Sequence, residues 1–152
     1  MGLLSFIKGV GEKVFKKEEV AVPAHGVEPL RASALLAHVK SLGLAYNNLA
    51  VKVSADAVIL EGEVAKQEDA EKIALAVGNV EGVETVDNRL KVTNPAPAAT
   101  YRTVKAGDTL SKIALAVYGD MHKFPLIFEA NRPMLSDPDK IYPGQVLRIP
   151  VL

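Results

Sequence analysis

The chain has 152 residues, enough for one ordinary domain or two small ones, and 49% of them are hydrophobic, which excludes a disordered composition. Eighteen Lys and Arg balance eighteen Asp and Glu, so there is no basic excess of the kind that marks a nucleic-acid partner. Cysteine is absent, which excludes disulfides, thiolate metal sites, a cysteine nucleophile and a lipid-bearing N-terminal cysteine.

Residues 1–28 form an N-terminal segment. Leu3, Ile7, Val10 and Val14 recur at helical spacing with Phe6 beside them, which predicts a short amphipathic helix over residues 3–15. Gly9 and Gly11 weaken it, since each costs about 1 kcal/mol against Ala in a helix interior. So short a helix needs a surface to pack on. The stretch does not read as a signal peptide, because no positive side chain precedes the apolar residues and Lys8 interrupts them. It is too short to span a bilayer, which takes about 20 apolar residues. Phe6 stands where a myristoylation pattern needs Ser or Thr. Residues 16–28 read as a loop.

Residues 29–93 read as one compact unit. Pro29 suits the first turn of a helix and Gly43 the position just past its end, with Leu35, Leu36, Val39 and Leu42 as the apolar stripe between them. Leu49, Val51 and Val53 alternate as a strand, and Val58, Leu60 and Val64 as its partner across the turn Ser54-Ala55-Asp56-Ala57. Ala70, Ile73, Ala74 and Val77 share one face of a second helix that stops at Gly78. Val86, Leu90 and Val92 mark a last strand. The order is αββαβ, a three-stranded sheet with two helices on one face. Together with Leu60-Glu61-Gly62-Glu63-Val64 and the later Gly82-Val83, Val86-Asp87-Asn88, this order resembles a BON domain.

Residues 94–100 are a proline-alanine linker, Asn94-Pro95-Ala96-Pro97-Ala98-Ala99 at its start, expected to separate two modules while keeping them near each other. Residues 101–152 follow a different plan. Tyr101-Arg102-Thr103-Val104-Lys105-Ala106-Gly107-Asp108-Thr109-Leu110-Ser111, Tyr118-Gly119, Asn131 and Ile141-Tyr142-Pro143-Gly144-Gln145-Val146-Leu147-Arg148-Ile149-Pro150 resemble a LysM domain, which implies a βααβ fold. Thr109 suits the cap of a helix carrying Leu110, Ile113, Ala114 and Val117. Pro125 suits the opening of a second helix that buries Phe124, Ile127 and Phe128. Val146 to Ile149 form the final strand. The fold class is therefore α+β.

A short BON unit behind a Met-Gly-Leu start, joined by one linker to a C-terminal LysM unit, resembles the bacterial potassium-binding protein family. The resemblance implies a cytoplasmic protein that binds K⁺ and changes shape or compactness on binding. It places backbone carbonyls of Ile7, Val10, Gly78, Val80 and Val83 around the ion. The residues give this a physical basis. A helix C-terminus leaves its last carbonyls without intrahelical partners and carries partial negative charge. K⁺ is bound elsewhere by neutral carbonyls that replace its hydration shell. Rb⁺ and Cs⁺ are the other ions such a cage admits. A glycine-capped helix simply turning into a strand is the alternative for the same residues. If Gly78 takes a positive φ, a β-branched replacement there would strain the turn.

Other chemistry finds little support. Asp108, Asp137 and Asp139 lack calcium-loop spacing, and His25, His38 and His122 form no zinc pair. No nucleophile–base set or phosphate loop stands out, so an enzyme and an organic cofactor are not expected. The LysM resemblance implies a glycan groove at Gly107, Asp108, Thr109, Leu110, Met134, Leu135 and Ile141. The same glycines also serve as plain turns, and Asp108 and Thr109 as a helix start. Peptidoglycan binding as a cell-envelope adaptor, or a phospholipid surface bound through the BON unit, are the alternative functions. The sequence names no downstream protein partner.

Overall fold

The structure is a computed structural model that describes residues 3–7, 9–11 and 24–151. Helix α1 (Ala24–Ser41) is followed by strands β2 (Asn48–Ser54) and β3 (Ala57–Lys66), helix α2 (Gln67–Gly78) and strand β4 (Thr85–Asn94). Strands β2 and β3 pair antiparallel from Asn48↔Glu63 to Ser54↔Ala57. Their turn puts Ala55 at φ 55, a left-handed value that a residue with a Cβ seldom takes. The Arg31 guanidinium of α1 donates to the Ala55 carbonyl at 2.9 Å and ties the hairpin end to the helix. Strand β4 lies parallel to β3, as a helical crossover through α2 allows. The αββαβ order is as expected.

Two expectations about the N-terminal residues need correction here. Residues 3–7 and 9–11 are not helical. Strand β1 (Leu3–Ser5) pairs antiparallel with β4 and makes the sheet four-stranded, in the order β1-β4-β3-β2. The Phe6 amide extends the pairing by donating to the Glu84 carbonyl at 2.7 Å. The free edge of β4 supplies hydrogen-bond partners that a short glycine-weakened helix would have to find within itself. Leu4 and Phe6 turn inward while Leu3, Ser5 and Ile7 face out, the period-two pattern of a strand. Residues 12–15 of the expected helix lie outside the described residues. Helix α1, in turn, is already formed at Ala24, so residues 24–28 are not loop and Pro29 lies inside the helix. Proline's fixed φ is a helical value; its cost there is one missing amide donor.

The C-terminal unit is βααβ: β5 (Thr100–Thr103), α3 (Leu110–Tyr118), a 3-10 turn at Met121–Lys123, α4 (Phe124–Ala130) and β6 (Val146–Ile149). Strands β5 and β6 pair antiparallel, Thr100↔Ile149 to Thr103↔Val146. Thr109 caps α3 by accepting from the Lys112 amide at 3.1 Å, and Pro125 sits in the first turn of α4. Val117 is exposed rather than part of the stripe; Tyr118 packs instead, its hydroxyl donating to the Pro150 carbonyl.

The linker leaves the two units in direct contact. Ala99 is buried, and its amide donates to the Glu71 carboxylate at 3.1 Å. Strand β6 serves two cores at once: Val146 packs into the N-terminal core, Leu147 and Ile149 into the C-terminal one. Met134 touches both. As a result α2 is buried from Ala70 to Gly78 with Lys72 the exception. A helix covered all round is an internal element, and here the sheet covers one side and β6 the other.

Candidate functional site

The C-terminal end of α2 does not stop cleanly at Gly78. The Asn79 amide donates to the Leu75 carbonyl at 2.9 Å, the Val80 amide to Val77 at 3.3 Å and the Val83 amide to Val80 at 3.1 Å. Gly82, at φ 102, closes this exit turn. Val77, Val80 and Val83 are all buried, so the turn is shielded from water. The partial negative charge of the helix end is felt more strongly in such a setting than in solvent.

The N-terminal segment folds onto this turn. The Val10 amide donates to the Ile7 carbonyl at 3.2 Å, making a tight turn. Gly11 follows at φ 132, and a Cβ there would lie 2.2 Å from the Asn79 carbonyl oxygen and 3.1 Å from the Glu81 amide nitrogen. The backbone of Gly11 thus rests on the peptides of the exit turn. Ile7 and Val10 lie in the first turn; Gly78, Val80 and Val83 lie in the second. The Ile7 and Val80 carbonyls each accept one amide, and a peptide oxygen has a second lone pair left for another partner. Gly78 is helical and does not take a positive φ. What demands glycine is the Phe6 ring, whose Cζ would stand 2.0 Å from an added Cβ.

The C-terminal unit forms a third wall. Gly144, at φ 92, faces Val10 and Ile7: a Cβ there would meet Val10 Cγ1 at 3.1 Å and Ile7 Cδ1 at 3.3 Å. Asn79 crosses the seam. Its Nδ2 donates to the Val146 carbonyl at 2.8 Å, and its Oδ1 accepts the Val146 amide at 2.8 Å. The sequence gives no sign of this, since an Asn after a helix-terminal Gly reads as a local cap.

A second polar contact lies further up α2. Glu71 and Arg148, both buried, form an ion pair at 2.8 Å. The other Glu71 oxygen accepts from Ala99 and from the Gln67 side chain at 3.3 Å. Tyr101 sits close by. Burial first, and then the negative charge of Glu71, push its phenol up to about 12, with Arg148 opposing. Asn131 completes the free edge of β6. It accepts the Arg148 amide at 2.7 Å and donates to the Arg148 carbonyl at 2.9 Å.

The residues expected to line a glycan groove are mostly committed to the fold. Asp108 accepts the Lys105 amide at 2.9 Å, Thr109 caps α3, and the Gly107 carbonyl accepts from Lys112 Nζ at 3.2 Å. Leu110 and Leu135 are buried in the C-terminal core, and Ile141 packs against it. Met134 faces the seam, its sulfur 3.4 Å from Asn79 Nδ2. Among the described residues no three His, Asp or Glu side chains come together to hold a metal ion. Nor is any described helix long and apolar enough to cross a membrane.

Comparison with known proteins places these units. Residues 30–94 match the BON domain family and residues 103–150 the LysM domain family. A potassium binding protein, Kbp, of Escherichia coli O6:H1 is 42% identical over 151 residues, 99% of either chain. An uncharacterized protein of Deinococcus radiodurans is 38% identical over 131 residues, 78% of this chain and 51% of that protein. Esterase Rv1288 of Mycobacterium tuberculosis is 49% identical over 53 residues, 35% of this chain and only 11% of its own length.

Proposed function

The chain belongs to the bacterial potassium-binding protein family, and we propose that it binds K⁺ through main-chain carbonyls where its N-terminal turn meets the exit turn of α2. Ile7, Val10, Gly78, Val80 and Val83 supply the oxygens. The observation that carries this reading is the seating of Gly11 on the Asn79 peptide, which sets the N-terminal turn against the buried exit turn of α2. Neutral oxygens suit a large, weakly hydrated monovalent cation, and the helix end adds negative potential without a carboxylate. The protein acts by binding rather than by catalysis, and does so in the cytoplasm.

An ion that draws oxygens from both turns binds only the docked arrangement, so it shifts the population toward it. At a hundredfold excess over its dissociation constant it stabilises the fold by about 2.7 kcal/mol. K⁺ therefore works as a signal read out as compactness. Calorimetry of desalted protein against KCl and NaCl at matched ionic strength tests the reading. Saturable heat is expected with KCl, RbCl and CsCl and none with NaCl or LiCl. Equal heats for KCl and NaCl would reject it.

A further inference from the structure

Asn79 belongs to two structures at once. Its backbone is part of the exit turn, between Gly78 and Val80, with its carbonyl under Gly11. Its side chain belongs to the other domain's strand, where it makes both hydrogen bonds that a neighbouring strand would make with Val146. At 3% exposure there is no room for water to take over either bond. We propose that Asn79 is the positioning residue that couples ion occupancy of the exit turn to docking of the LysM domain on the BON domain. The proposal rests on the K⁺ reading above and adds to it the route by which the second domain senses the ion.

The physical argument is short. Two bonds join the amide fork to its backbone, and burial with both contacts to Val146 holds them in one rotamer, so a shift of the Gly78 and Val80 peptides carries the fork with it. A displacement of about 1 Å takes a 2.8 Å contact beyond hydrogen-bond range. With the fork open, a docked LysM domain would hold a buried Val146 amide and carbonyl without partners, which favours undocking. An ion that fixes the carbonyls therefore also fixes the fork. By reciprocity, a docked LysM domain raises ion affinity by the same factor. Asn131 offers an internal contrast. It makes the same fork with Arg148 on the same strand edge, but from within the LysM domain, so it carries no signal between domains.

The test uses full-length Asn79→Ala, Asn79→Asp and Asn131→Ala. The Asp variant keeps the side-chain shape and loses the donor to Val146, which covers the case of an Ala variant that does not fold. K⁺ affinity is read by calorimetry; the radius of gyration and the melting temperature are read in KCl and in NaCl at matched ionic strength. Asn79→Ala is expected to lose about tenfold in K⁺ affinity, and both Asn79 variants most of the K⁺-dependent compaction. Asn131→Ala should lower the melting temperature equally in both salts and leave the K⁺-induced compaction intact. Wild-type protein that binds K⁺ beside an Asn79→Ala variant with unchanged affinity and compaction would overturn the coupling alone. Wild-type protein that gives no K⁺ heat would overturn the K⁺ reading and the coupling with it.

Discussion

The Phe6 ring lies so close over Gly78 that an added Cβ would fall 2.0 Å from its Cζ atom. The N-terminal strand is thereby keyed to the one residue of α2 that has no side chain. Since Gly78 keeps a helical backbone, Ala is tolerated there by the main chain and gains up to about 1 kcal/mol in helix propensity. The sign of Gly78→Ala therefore depends on Phe6. In the wild-type background the substitution should destabilise by about 1–3 kcal/mol through overpacking. With Phe6→Ala already present it should be neutral or stabilising. Urea unfolding of the four proteins measures this; a loss of equal size in both backgrounds would show that the ring is not what excludes a side chain.

Gly9 and Gly11 make a matched pair. A Cβ on Gly9 meets nothing within 4 Å, whereas on Gly11 it would strike the Asn79 carbonyl at 2.2 Å, at a φ of 132. Gly11→Ala should lift the N-terminal turn and lower K⁺ affinity by more than about tenfold, since the binding-competent state becomes rare. Gly9→Ala should leave affinity unchanged. Calorimetry together with protease protection of the N-terminus checks both, and equal effects at the two positions would place the ion elsewhere.

The Glu71–Arg148 pair is buried at the domain seam, with side-chain exposures of 2% and 10%. Glu71→Ala strands a guanidinium and the Ala99 amide together, so it should cost about 3–5 kcal/mol. Replacing both partners by Leu and Met should cost less than Glu71→Ala alone, because no charge is then left buried without a partner. A double-mutant cycle by denaturant unfolding gives the comparison. A double variant less stable than Glu71→Ala would contradict it.

Tyr101 predicts an alkaline limit to stability. Its phenol is held protonated by burial and by Glu71, up to about 12 against an ordinary 10.0. Below pH 10.0 both folded and unfolded chains carry the proton, and the contribution is fully present. As pH rises from there toward about 12, the unfolded chain releases its proton first and stability falls. Tyr101→Phe should flatten this part of the stability–pH curve while leaving the other titrating groups to act. Unfolding free energies of the two proteins at either end of that window decide; parallel curves would mean Tyr101 does not contribute.

Much of the fold is legible in the residues. The α+β class, strands β2, β3, β4 and β6, the end of α2, the Thr109 cap and the Pro125 start all follow from periodicity and from turn and cap chemistry, which act over a few residues. The N-terminal strand is not legible in this way. Leu3, Ile7 and Val10 fit helical spacing and Leu4 and Phe6 fit a strand. The open edge of β4, more than seventy residues further along, decides between them. Gly78 shows the same limit. The sequence places a glycine at a helix end, but its reason, an aromatic ring from another segment, is visible only in space.

The sequence by itself determined two units of known pattern and a glycine-bounded helix end able to present carbonyls. Only the tertiary structure decided that the units share one seam. Asn79 reaches Val146 across 67 positions and Glu71 reaches Arg148 across 77. Single polar residues at such separations leave no periodic trace. Each reads locally as a cap or a solvated charge until packing removes the water that would otherwise satisfy it.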